Sequence, residues 1–102
     1  MEITLDIHKI CLEFPKSELY GLVSQMNRAA VSIPSNIAEG SNRGNVHFKH
    51  YLNISLGSSF ELQTQLLIAN QNKYITDVKT LEIENKLIEF QKMTTGFIIK
   101  LV

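Results

Sequence analysis

Few side chains in this 102-residue sequence have the types and spacing that chemistry requires. His47 and His50 are three residues apart, so on a helix both could reach one metal ion. Two ligands do not close a site, and the nearby acids lack the Glu-x-x-His pairing of di-iron bundles, so no metal is expected. Cys11 is the single cysteine and falls on the apolar side of a short helical stretch, where a buried, inert thiol is expected. The loop Gly40-Ser41-Asn42-Arg43-Gly44 lacks the Gly-Lys-Ser/Thr ending of a phosphate loop. No Ser–His–acid or Cys–His pairing follows from spacing. The expectation is a non-enzymatic protein with no catalytic residue, no cofactor and no small-molecule substrate.

Two polar groupings suit binding better than catalysis. At 100° per residue, Gln25, Arg28, Ser32, Ser35, Asn36 and Glu39 share an arc of about 100° on one helix, away from its apolar side. With one cation and one anion among amides and hydroxyls, this stripe suits a packed polar contact in which each group finds a partner. One reading makes it a surface face or an internal polar layer with Arg28 and Glu39 each tied locally. The other makes Gln25, Ser32, Asn36 and Glu39 a subunit interface or groove. The second grouping is Arg43, His47, Lys49 and His50, following the glycine-bounded turn. Cations beside the free N–H groups of a helix start suit phosphate, so Arg28, Arg43, His47 and Lys49 are the candidate nucleic-acid contacts.

These residues must be held by helices. Apolar residues recur at helical spacing from about Glu2 to Phe14, ending at Pro15. A second stretch, with Ser17 as N-cap, runs to about Gly40 through Leu19, Leu22, Val23, Met26, Ala30, Ile33 and Ile37. Pro34 lies inside it. The apolar phase continues across the proline, which predicts a kink rather than a restart. Asn45 is placed to cap a third helix running to about Asn72, whose Ser55-Leu56-Gly57-Ser58-Ser59 segment suggests that another backbone passes close by. In the fourth, Ile83, Leu87, Phe90, Thr94, Phe97 and Leu101 keep a 4-3-4-3-4 spacing. Short connections make successive helices neighbours, so the expected fold is all-α: an antiparallel up-down-up-down four-helix bundle as a single domain over residues 1–102.

Composition narrows the function classes. Ten Lys and Arg balance ten Asp and Glu, which excludes a strongly basic domain for the isolated subunit. No apolar run approaches a membrane span, and the N-terminus does not read as a signal peptide. A lone cysteine fits a reducing compartment, so a cytoplasmic location is expected.

The runs Phe14-Pro15-Lys16-Ser17-Glu18-Leu19-Tyr20-Gly21-Leu22 and Gln25-Met26-Asn27-Arg28-Ala29-Ala30-Val31-Ser32-Ile33-Pro34-Ser35-Asn36-Ile37-Ala38-Glu39-Gly40 carry a resemblance. Tyr51-Leu52-Asn53-Ile54-Ser55-Leu56-Gly57-Ser58 and Glu61-Leu62-Gln63-Thr64-Gln65-Leu66 extend it. The chain resembles the bacterial four-helix bundle proteins encoded within intervening sequences of 23S ribosomal RNA genes. That resemblance implies a bundle that assembles with copies of itself into a ring, commonly a homopentamer. A related bundle, the accessory protein of diversity-generating retroelements, binds nucleic acid through a basic surface. No catalytic residue carries over. The chain departs from the family at Asn27 and Phe60, where basic residues are frequent. It also begins later than the family's usual first helix, which leaves a longer native N-terminus open and part of the third or fourth helix uncovered.

The expectation is therefore a homo-oligomer whose partners are itself and RNA or DNA, not a membrane. Residues 24–50 hold Arg28, Arg43 and Lys49 against Glu39, a local charge of +2. A ring would repeat that charge about an axis, about +10 for five copies, enough to attract a polyanion. The alternative is a scaffold oligomer with no nucleic-acid role.

Overall fold

The computed structural model describes residues 1–101, and among them every regular element is helical. Four α-helices follow in order: α1 (Glu2–Cys11), α2 (Ser24–Gly40), α3 (Asn45–Gln71) and α4 (Asp77–Lys100). They form a four-helix bundle in which α2 packs on α3, α3 on α4, and α1 against α2 and α4. Contacts between α2 and α3 run in opposite order, Arg28 with Glu61, Ser32 with Ser58 and Gly40 with Tyr51. Those between α3 and α4 do the same, Asn70 with Asp77, Gln63 with Glu84 and Phe48 with Phe97. The core is Ile3, Ile7, Met26, Ala29, Ala30, Ile33, Leu62, Leu66, Ile83 and Leu87, all buried.

Several expected boundaries move. Helix α1 ends at Cys11, and Leu12 to Phe14 form turns before Pro15, whose ψ of 144° is extended. Ser17 is not an N-cap: it lies within a 3₁₀ turn over Lys16–Glu18, followed by a wide π-type turn over Leu19–Val23. Gly21 inside that turn has φ −111° and ψ −108°, outside the helical region, so the second stretch cannot be one helix from Ser17. Leu19 is consequently exposed rather than on the core side. The carboxylate of Glu18 accepts from the N–H of Leu22 and from the hydroxyl of Tyr74 (2.9 Å), fastening this segment to the α3–α4 turn. At the next turn Gly44, with φ +79°, holds the N-cap position, and Asn45 is the first helical residue instead of the cap. In α4, Phe97 is 48% exposed and Ile98 is buried in its place.

Helix α2 continues through Pro34 without a restart. Proline has no N–H to give the carbonyl four residues back, here Ala30. The hydroxyl of Thr4 on α1 donates to that oxygen at 3.0 Å. Two further carbonyls around the proline also gain side-chain donors. Ser32 O accepts from Asn36 Nδ2 at 2.8 Å, and Ile33 O accepts from the buried Ser55 hydroxyl at 2.7 Å. The run Ser-Ile-Pro-x-Asn thus folds as a helix because α1, α3 and its own asparagine supply donors around the proline. Ser55 marks where the α2 backbone passes close to α3, whereas Gly57 faces open space. The tightest approach is at Gly40, where an added Cβ would lie 2.7 Å from Cβ of Tyr51.

Candidate functional site

The polar stripe of α2 divides between interior and surface. Ser32 and Ser58 hydroxyls meet at 2.9 Å, and Asn36 Nδ2 reaches Ser32 Oγ at the same distance, forming a polar layer between α2 and α3. One turn earlier, Arg28 donates to Gln25 Oε1 and pairs with Glu61, whose carboxylate also accepts from Gln65. Gln65 Oε1 is the one buried side-chain polar atom without a partner among the described residues. Glu39 pairs with Arg43, and the Arg43 guanidinium lies over the Tyr51 ring, 5.5 Å from its centroid. Ser32 is spent on α3 and Asn36 on Ser32 of its own helix, while Gln25, Ser35 and Glu39 keep exposed positions.

The four candidate cationic contacts do not gather. Arg28 sits about 18 Å along α2 from the turn that carries Arg43. Both arginines are already in ion pairs. Lys49 and His47 are exposed on the first turns of α3 with no ion-pair partner among the described residues. His47 and His50 join no cluster of three metal-ligating side chains, and none exists among the described residues.

An apolar cleft of about 320 Å³ opens beside Cys11, bounded by His8, Leu12, Phe14, Leu19 and Asn27. Burial pushes the Cys11 thiol up to about 11, so at neutral pH it stays protonated and is a poor nucleophile. On the opposite side of α1, Lys86 of α4 bridges Glu2 and Asp6 (2.7 Å to Asp6). Its hydrogen bonds to Asp6 and then Glu2 hold the Lys86 ammonium pKa well above the ordinary lysine range. This network joins α1 to α4 and offers no reactive group.

Two features escape the candidate residues named from sequence. First, the outward side of α3 repeats Asn53, Gly57, Phe60, Thr64, Leu67 and Gln71 at 4-3-4-3-4 spacing, the coiled-coil period, on the side away from the core. From His50 to Asn72 the only Lys, Arg, Asp or Glu is Glu61, already paired with Arg28. Ile54, Phe60, Leu67 and Ile68 stay between 38% and 51% exposed along that side. The spacing was present in the sequence, but core periodicity on the same helix masks it. Second, Phe48 packs edge-on against Phe97 at 5.8 Å between centroids, which brings the end of α4, with Lys100, beside the start of α3. Nothing local to either segment specifies that meeting.

The geometry described is shared with known proteins. A crystal structure of a protein of unknown function from the S23 ribosomal protein family of Bacteroides thetaiotaomicron superposes with a TM-score of 0.84. It is 25% identical, and the match covers 95% of this chain and 92% of that one. No curated protein matches the chain. Residues 1–96 match the family described as 23S rRNA-intervening sequence protein, and this chain belongs to that family.

Proposed function

We propose that the protein is a non-enzymatic, cytoplasmic homo-oligomer, a ring pentameric as the family resemblance implies, that presents cationic side chains to RNA or DNA. The uncharged outer seam of α3 carries this reading. A solvated helix face normally mixes Lys and Glu with its apolar residues. Here large Phe60 and Leu67 alternate with small Gly57 and Thr64 at the period that lets knobs enter holes of another helix. Zero net charge adds no repulsion against association. The buried, protonated Cys11 thiol supports a non-enzymatic role. The alternative, a scaffold oligomer with no nucleic-acid role, gains from the ion pairing of Arg28 and Arg43, each already shared with a carboxylate.

Size-exclusion chromatography with light scattering tests the assembly. The expected mass at micromolar concentration is a multiple of 11.6 kDa. The double variant Phe60→Glu/Leu67→Glu is expected to fall to one subunit while keeping its helical circular dichroism. A wild-type mass of one subunit overturns the proposal.

A further inference from the structure

We infer that the end of the bundle formed by the start of α3 and the end of α4 is a single-strand nucleic-acid contact built from Lys49 and Lys100 with the rings of His47, His50 and Phe97. This rests on the nucleic-acid reading above and moves its contact surface. Charge in this neutral chain is segregated. From Gly40 to Phe60 and from Phe90 to Leu101 there is no acidic side chain, while Arg43, Lys49, Lys92 and Lys100 all lie there. The other six Lys and Arg share the rest of the molecule with all ten carboxylates. The Phe48–Phe97 contact brings the two acid-free segments together at one end. Glu39, the carboxylate next to the α2–α3 turn, is bound to Arg43. Lys49 and Lys100 are exposed and in no ion pair among the described residues, as are Lys9, Lys16 and Lys73 at the other end. Of these only Lys49 and Lys100 lie in acid-free segments, so their charge is available to a polyanion.

The rings choose the kind of nucleic acid. His47 and His50 are exposed beside Lys49, and Phe97 is 48% exposed three residues from Lys100. Cations that follow a phosphate backbone, interleaved with open π-faces on which unpaired bases stack, are the elements of single-strand binding. A duplex hides its base faces and offers these exposed rings no base to stack on.

Fluorescence anisotropy of the full chain with a labelled single-stranded RNA, and with an RNA duplex of equal length, tests the assignment across a salt series. Two charge-matched variants are compared, Lys49→Glu/Lys100→Glu at this end and Lys9→Glu/Lys16→Glu at the other; all four lysines are exposed. The expected result is tighter binding of the single strand. The first variant should lose at least about tenfold affinity, with a log–log salt slope shallower by about 1.4, while the second stays near wild type. His47→Ala/His50→Ala should weaken single-strand binding several-fold and leave duplex binding unchanged. Equal losses in both charge variants overturn the assigned surface and leave the nucleic-acid reading standing. Preference for duplex overturns the single-strand assignment. Wild-type binding to neither RNA at low salt, or only to phosphatidylserine vesicles, removes the nucleic-acid reading itself.

Discussion

The two sides of α3 are almost equally free of charge, yet their polar and apolar groups meet different fates. Toward α2, Ser55 bonds the Ile33 carbonyl, Ser58 meets Ser32, and Leu62 is fully buried beneath them. Toward solvent, the Thr64 hydroxyl turns back to the Phe60 carbonyl of its own helix (3.1 Å), and Phe60 and Leu67 stand half open. Hydroxyls on the inner side let two backbones approach and bond across the gap. On the outer side the same small-and-large alternation has nothing within the subunit to fill it. A helix that lacks charge on both sides has one side completed by its own chain and one suited to another chain.

Substitutions break or sharpen this contrast in a definite order. Leu62→Ala on the inner side should cost about 2–5 kcal/mol in denaturant unfolding, as should Leu87→Ala across the core. A change near zero at both would mean that the inner and outer faces have been exchanged. Thr4→Val should cost about 1 kcal/mol, because it strips the donor from the Ala30 carbonyl that Pro34 cannot serve. Pro34→Ala restores a backbone N–H to that oxygen, so Thr4→Val should cost measurably less in the Pro34→Ala background; equal costs in both backgrounds would detach Thr4 from the proline. Thr64→Ala on the outer side should shift unfolding by less than about 0.5 kcal/mol at fixed protein concentration. A shift as large as that of Leu62→Ala would place Thr64 in the subunit's own packing.

Helix number, order and core residues were legible because each helix repeats its apolar residues over several turns, and a repeated signal survives local errors. Ile33, Leu62, Leu66, Ile83 and Leu87 all come from that repetition and all are buried. The start of the second stretch was not legible. Ser17 has the side chain of a cap, but the backbone at Gly21 leaves the helical region and delays α2 to Ser24. The stripe of α2 was legible as polar but not as divided. Angles on one helix cannot say that Ser32 meets Ser58 of α3 while Gln25 and Ser35 stay open. The four cationic candidates were chosen by nearness in sequence, whereas the end of α4 with Lys100 comes beside the start of α3 only through the Phe48–Phe97 contact.

By itself the sequence determined a bundle of helices, a neutral charge balance and an inert cysteine, because periodicity, composition and residue type act locally or as sums. Tertiary structure decided where the donors around Pro34 come from, which arginines are already ion-paired, and that the two acid-free segments meet at one end. These depend on residues from different helices meeting, as Thr4 meets Ala30 and Phe48 meets Phe97. Such pairings follow from packing the whole core, which no single segment encodes.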